Sequence, residues 1–565
     1  MGAPSSPARP LGETLDRRQK LLLVLSLQTA LFVSALNQSV VATAIPRILA
    51  DLNGYEMLAW VFTIYMVAST VVVLPVGRLS DMFGRKSFIL AGVATFMLGS
   101  LACGLAQSMP QLIGARAVQG IGGGIIFSSV FAVLGDLFPP TERAKYMGLF
   151  TGTFTVASVI GPTIGGLLTD HVGWRWCFYL SVPVALMALA FIMRNLPEPP
   201  KKGGRLANID LVGSMLLTFA TISLLIGLSW SGKANGWGSG QTLGLFASAA
   251  VFTILFGFQE RRHPAPIFPL SLFRNREFVL ANVIVMLIGA GGFGAIQYLP
   301  TFVQISLGAT ATASGMVTTP QSVGMFVASI VGGTMLSRSG HYRRQLLLGG
   351  SLILVGTLLV RTLDVGEPTW HVAFFMIIYG LGSGLVMPTM GVVVQNVVSH
   401  SLLGVATSAR QFFMQMGNVL GAAIFGVVLV SSYGAAFERD APALLKQELS
   451  AEIYAEFDDP TVSLDSRRFA PVEEAVLAIP DGEFLLAATL ATQRDAVKIA
   501  IHDIFLGSAA LAVVALILVV LMKEIPLRRT FDAPAPGEVP APVTTSTRTS
   551  PAGRLRVPAF RRTRS

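Results

Sequence analysis

"GRLSDMFGRK", residues 77–86, sets two glycines and four charged residues between long runs that carry almost no charge. A helix crossing a bilayer needs about twenty consecutive apolar residues. Runs of that length flank the stretch on both sides, so it reads as a short polar turn between two membrane spans. The pattern returns at "GTMLSRSGHYRR" (333–344), where Gly333 aligns with Gly77 and Gly340 with Gly84. Basic residues follow the second glycine in both turns. Outward from these turns the whole chain has the same character. Hydrophobic residues make up 52% and charged residues 13%, against about 25% charged in soluble domains. Fourteen candidate spans begin near residues 21, 56, 88, 111, 147, 176, 209, 241, 278, 312, 346, 370, 405 and 501. The expectation is an all-α, polytopic membrane protein.

The net charge of +10 is explained by topology, and no nucleic-acid partner is expected. With the N-terminus in the cytoplasm, 29 Lys and Arg fall in inside segments and 10 in outside ones, leaving Arg116 and Arg410 within spans. This is the bias that places basic loops inside, and it predicts that both termini are cytoplasmic. The first apolar run, Leu21 to Ala44, is too long for the h-region of a signal peptide. Cys103 and Cys177, the only cysteines, imply neither a disulfide framework nor a metal site. No GxxxxGK[ST] loop is present, and no nucleophile–base pair or metal cluster appears within the spans. Neither an enzyme nor a cofactor is expected.

The two glycine turns lie between spans 2 and 3 and between spans 10 and 11. Setting spans 7 and 8 aside leaves two sets of six in which the turns occupy equivalent places. Parallel repeats about an axis normal to the membrane mark one transporter architecture. The chain divides into a disordered cytoplasmic head (1–19), a six-helix bundle (20–196), a linker with two extra spans (197–277), a second six-helix bundle (278–525) and a disordered cytoplasmic tail (526–565). Head and tail are rich in Pro, Ser, Thr and Arg. The external segment 431–500 carries thirteen Asp and Glu against six Lys and Arg. "ALLKQELSAEIYAEF" and "EFLLAATLATQRDAVKIAIHDIF" within it read as helices separated by prolines at 460, 471 and 480, the second running into span 14. A solvated loop and a cap over an exit path are both open readings.

Four ordered motifs carry a family resemblance over residues 20–525. "GRLSDMFGRK" resembles motif A of the major facilitator superfamily, and "ARAVQGIGGG" (115–124) is similar to motif B. "GTFTVASVIGPTIGG" (152–166) resembles motif C, the antiporter signature. "GWRWCFYLSVP" (173–183) and the extra span pair resemble the fourteen-helix drug/proton antiporter branch, the EmrB/QacA type. The resemblance implies the major facilitator fold, export of drug-like compounds by alternating access, and protons as the coupling ion. It also implies that motif A latches the two bundles in an outward-facing state, and that Arg116 assists proton transfer.

The residues have physical readings beside these roles. Asp81 can face a helix N-terminus, Arg85 and Lys86 hold their turn inside, and Gly77 and Gly84 let helices approach closely. A plain topogenic turn would share these features. Arg116 must face a cavity or a partner, because a central arginine costs about 2.5–3.5 kcal/mol on insertion scales; a structural salt bridge is the alternative to a proton role. Pro162 kinks its helix, and Gly161, Gly165 and Gly166 let the bend lie against the opposite bundle.

Two departures stand out. Asn37 in "LNQSVVATAIP" occupies the place of an aspartate in this branch, and asparagine carries no proton. In "ATSARQFFMQMGNVLG" (406–421), Arg410 stands where a polar residue is usual and Met414 where a basic one is. No carboxylate lies deep in a span; Glu56, or His502 with Asp503, are candidates at the external mouth. Gln297 and Tyr298, with Gln28, Asn37, Gln411 and Gln415, are expected to line a mixed polar and apolar cavity. Twenty methionines and thirty-five phenylalanines give adaptable apolar surface. The candidate substrate and coupling residues are therefore Asn37, Arg116, Gln119, Gln297, Tyr298, Arg410 and Gln411. The expected function is multidrug efflux of small amphipathic compounds from the cell (plasma or inner) membrane by a monomer. A lipid or lysolipid exporter of the same fold is the alternative, and a non-transporting receptor or scaffold is a third reading.

Overall fold

Gly84 adopts φ +100°, a conformation that L side chains rarely adopt. It ends helix α2 (Leu58–Phe83) and starts α3 (Arg85–Leu105) within one residue. Gly340, at φ +71°, ends α10 (Ala311–Ser339), and α11 (Tyr342–Val360) starts two residues later. The second glycine of each turn is thus required by the backbone. The first glycines are required by packing. A Cβ on Gly77 would stand 2.2 Å from Ser408 Oγ, and one on Gly333 2.4 Å from the Ala144 carbonyl oxygen. Both meet the other bundle, so the echo between the turns is architectural.

The structure is a computed structural model that describes residues 15–52, 57–197, 210–231, 236–264, 266–399, 402–464 and 466–528. Glu56 and most of the head and tail lie outside these residues. The first bundle holds α1 (Arg17–Leu52), α2, α3, α4 (Met109–Leu137), α5 (Pro140–His171) and α6 (Arg175–Asn195). A hairpin follows, α7 (Leu211–Ser231) and α8 (Gly240–Arg262). The second bundle holds α9 (Arg276–Ile305), α10, α11, α12 (Thr369–Asn396), α13 (Leu403–Asp440) and α14 (Gly482–Leu521). Thirteen of these helices are long and apolar enough to cross a membrane. The exception is α10, which has 29 residues but carries the polar run "TTPQS" (318–322).

The bundles meet along two seams, α5 against α10 and α2 against α13. Matching α2 to α10 and α5 to α13 turns one seam into the other, as two equivalent halves require. Small residues make the approach possible. A Cβ on Gly148 of α5 would stand 2.1 Å from the Ser329 carbonyl oxygen of α10. Lipid supplies no hydrophobic drive between helices, so association depends on such close packing. Helix α7 lies over the other seam, burying Leu225 with Val67 of α2 and Met416 of α13.

Helices α13 and α14 have 38 and 40 residues, about 57–60 Å at 1.5 Å per residue. A hydrocarbon core is about 30 Å thick, so both project well beyond it and carry segment 441–481 between them. The expected first helix there is broken at Leu449 and Ser450 into Ala443–Glu448 and Ala451–Ala455. Pro471, expected to separate helices, lies inside Ser466–Leu477 at its sixth position, where it removes one intrahelical hydrogen bond without ending the helix. The second expected helix does run unbroken into α14. The segment is folded onto its supports. Tyr433 donates to the Phe457 carbonyl at 2.9 Å, Gln493 donates to that of Pro460 at 3.2 Å, and Phe437 stacks on Phe457 at 5.5 Å.

Candidate functional site: a latch, a buried arginine and a cavity

The face that carries Gly84 and Gly340 is sealed between the bundles. Asp81 of α2 pairs with Arg85 at 2.7 Å, and Arg85 Nε donates to Asp136 of α4. Asp81 lies against the first turn of α13, since a Cβ on Gly404 would meet its carboxylate at 2.5 Å. A helix N-terminus favours negative charge there, as the sequence suggests. Lys86 caps α6 by donating to the Met193 carbonyl at 3.0 Å. Beside the charged group, Ser128 of α4 and Ser408 of α13 share a 2.6 Å hydrogen bond across the seam.

Arg143, not among the sequence candidates, completes the seal. Its guanidinium donates to Gln395 Oε1 of α12 at 2.6 Å and to the carbonyls of Gly135 and Phe138. Gln395 in turn donates to Thr407 at 2.6 Å. The available signal was one arginine in "PPTERAK", which looks like an ordinary basic residue at the start of a span.

Arg116 is enclosed within the first bundle, 1% exposed. It donates to Gln119 Oε1 at 2.6 Å, to Asn37 Oδ1 at 3.1 Å and to the Val61 carbonyl at 3.3 Å. The Tyr65 ring lies 4.6 Å from the guanidinium carbon. Asn37 donates to Ser181 at 3.0 Å and Gln119 to Ser100 at 2.7 Å. The alternative of a structural salt bridge does not hold, because no carboxylate meets Arg116 among the described residues. Neutral acceptors and an aromatic face hold the charge instead. Asn37 belongs to this network and does not line the cavity. The glycines of residues 120–124 let α4 sit close to two helices: Gly120 and Gly124 against α2, Gly122 against α3.

A cavity of about 560 Å³ lies between α1, α5, α9 and α10. Gln297 lines it as expected, together with Gln38, Gln321, Ser39, Ser158, Ser322 and Thr318. Phe154, Ile296 and Met325 supply apolar walls, and the lining contains no charged residue. Tyr298 is turned away, donating to the Ala422 carbonyl at 2.7 Å. Gln28, Gln411 and Gln415 are also absent from the lining. The missed residues had a signal in "TTPQS", a polar run inside a span, but its facing could not be read because the outward face of α10 is itself apolar, with Val323, Val327, Val331 and Met335 exposed.

Motif C is split by the structure. Gly152 meets Phe326 of α10, and Thr155 donates to the Ser322 carbonyl at 3.2 Å, both across the seam. Gly161 and Gly165 instead face Ser39, Val40 and Thr43 of α1 in their own bundle, while Pro162 is exposed and a Cβ on Gly166 would meet nothing. The expected contact of the bend with the opposite bundle is therefore corrected: α5 crosses the seam one to three turns earlier. His502 bonds the Leu363 carbonyl at 2.9 Å within the second bundle. Arg410 and Gln411 are both buried in α13, and the Gln411 carbonyl oxygen has no hydrogen-bond partner among the described residues.

Two bundles joined by glycine-lined seams, sealed at one face around a neutral cavity, form a transporter architecture, and comparison with known proteins agrees. The chain is 39% identical over 416 residues to "Multidrug transporter protein MdtP" of Bacillus subtilis (strain 168), covering 74% of this chain and 76% of that one. It is 30% identical over 520 residues to the "Acurin A biosynthesis cluster MFS-type transporter" of Aspergillus aculeatus, covering 90% of each. The solved proton:xylose symporter XylE has the same fold, with TM-score 0.57 at 11% identity over 91% of this chain and 98% of that one. Residues 28–422 match the Major Facilitator Superfamily profile, and this multi-pass membrane protein belongs to that superfamily of small-molecule transporters.

Proposed function

We propose that the chain is a secondary active exporter of amphipathic compounds working by alternating access, with fourteen spans and both termini cytoplasmic. Helix α10 is the fourteenth span: it has the length of its neighbours, and its polar residues face the cavity and the seam. The basic turns at Gly84 and Gly340 then lie inside, and the structure is the outward-facing state. The observation that carries the reading is the cross-bundle seal at one face beneath a mixed polar and apolar cavity. Uncharged amide and hydroxyl groups beside Phe154, Ile296 and Met325 suit a bulky amphipathic molecule. The relatives' names, a multidrug transporter and a biosynthesis-cluster transporter, support the same substrate class.

Protons are the proposed coupling ion, and the latch is the proposed place where they act. The cavity lining holds no carboxylate, whereas Asp81 and Asp136 surround Arg85 at the seal. Protonating Asp81 removes the negative charge that faces the α13 N-terminus and loosens the closed face. The plasma or inner membrane is the proposed location and the monomer the working unit.

The test is efflux from proteoliposomes under an imposed pH gradient, with ethidium and with a fluorescent lysophosphatidylcholine. Gradient-dependent ethidium export is the expected result. Lysolipid export alone would favour the lipid alternative, and transport of neither would overturn both.

A further inference from the structure

Arg116 of α4 and Arg410 of α13 each lie about two turns into their helices, and their surroundings are opposite. Arg116 has neutral acceptors on several sides. Arg410 of α13, only 6% exposed, meets no carboxylate and no hydrogen-bond acceptor among the described residues. Among the described residues its partner is the Phe131 ring, with the guanidinium carbon 5.7 Å from the centroid. A guanidinium offers five donors in a fixed fork. Burying one without acceptors is strongly unfavourable, and intramembrane charges of this kind mark substrate or ion pathways.

The surroundings show what would fill the gap. Gly391 of α12 and Met147 of α5 flank the guanidinium, since a Cβ on Gly391 would stand 3.6 Å from the Met147 sulfur and 3.8 Å from Arg410 Nε. An aromatic ladder joins the site to the cavity. Phe154 lines the cavity and lies 5.2 Å from Phe127, which lies 5.9 Å from Phe131. Below, the Ser128–Ser408 bond closes the seam. The site is thus the positive end-point of a ladder of tilted rings that starts at the cavity wall. Rings in such a ladder pack against planar aromatic groups, and an arginine fork matches a carboxylate with two parallel hydrogen bonds.

We infer that Arg410 is the binding residue for the anionic group of planar aromatic acids, whose rings lie along Phe154, Phe127 and Phe131. The assignment rests on the export reading and narrows its substrate class. It requires that an aromatic carboxylate bind more tightly than its neutral amide of the same shape.

The experiment uses the purified full-length protein in detergent, with pyrene-1-carboxylate as a fluorescent ligand and pyrene-1-carboxamide as competitor. Wild type is expected to favour the carboxylate about tenfold or more, as a charge-assisted pair would. Arg410→Gln is expected to bring the two within about twofold, and Arg410→Lys, which keeps the charge without the fork, to fall between. Equal wild-type affinities, or an undiminished preference in Arg410→Gln, would overturn the assignment. If Arg410→Gln does not fold, an undiminished preference in Arg410→Lys has the same force. Ethidium efflux by the reconstituted wild type separates the two readings. Export without a carboxylate preference sinks the Arg410 assignment alone, and a carboxylate preference without export sinks the export reading alone.

Discussion

Asn37 and Arg116 show how one neutral side chain sets the electrostatics of a bundle. The Asn37 carbonyl oxygen accepts from the guanidinium at 3.1 Å while its amide donates to Ser181. Both ends of the amide are used, so an apolar replacement strands a charged donor. Asn37→Leu should lower the stability of the purified protein by about 1–3 kcal/mol, the cost of an unsatisfied buried partner. Thermal unfolding in detergent measures this, and a midpoint equal to wild type would show that Arg116 finds another acceptor. At the seal the charge matters for gating. Asp81→Asn keeps the shape and removes the carboxylate from the α13 N-terminus, weakening the latch by about 0.3–2 kcal/mol. Efflux should fall while expression stays near normal; wild-type rates at equal protein level would refute the latch.

At the scale of elements, the long helices α13 and α14 make segment 441–481 a small folded unit on the second bundle. Arg468 binds Glu456 and Asp459, each at 2.6 Å. Partial burial raises the Asp459 pKa, but hydrogen bonds from Thr461 and Arg468 outweigh it and hold the carboxyl below its ordinary 3.8. A depressed carboxyl pKa contributes stability above the ordinary value and loses it as pH falls through the folded value. The segment should therefore be protected at neutral pH and open to proteolysis only in acid, below about pH 4. Pepsin cleavage across pH 2–5 reads this, and Arg468→Ala should move the onset upward; an unmoved onset would remove Arg468 from the account. The end of α13 meets α14 beyond its first turns, since Thr492 donates to the Asp440 carbonyl at 3.4 Å, about 15 Å along the helix from Gly482. A Gly/Ser linker long enough to span that distance can replace residues 441–481 without disturbing α13 or α14. If the segment caps the exit, the linker variant changes the substrate range, and an unchanged transport profile reduces it to a spacer.

For the whole molecule, alternating access requires the seal at the glycine-turn face to part. The Ser128 and Ser408 oxygens are 2.6 Å apart across the seam, close enough for two cysteines placed there to reach bonding distance. The pair Ser128→Cys and Ser408→Cys should form a disulfide under oxidation that stops efflux and releases it on reduction. Undiminished efflux by the oxidised, crosslinked protein would mean that this face does not open. Cys103 and Cys177 are buried, so they do not compete for the crosslink.

The glycine turns show what the sequence by itself determined. Gly84 and Gly340 end their helices at positive φ, and Gly77 and Gly333 lie where two backbones nearly touch. The first demand is local and the second comes from the other bundle, but both leave a mark in residue type and spacing, so the paired bundles were legible from the sequence. Span positions were legible too, because hydrocarbon thickness dictates their length and lipid their composition. Facing was not. Helices buried on most sides have no polar stripe to orient them, so Gln297 and Tyr298, adjacent in sequence, went to a cavity and to a packing contact. Gln38 and Asn37 divided in the same way. Only the tertiary structure enclosed Arg116 among acceptors and left Arg410 without one, because a buried charge is defined by the groups that other helices bring to it.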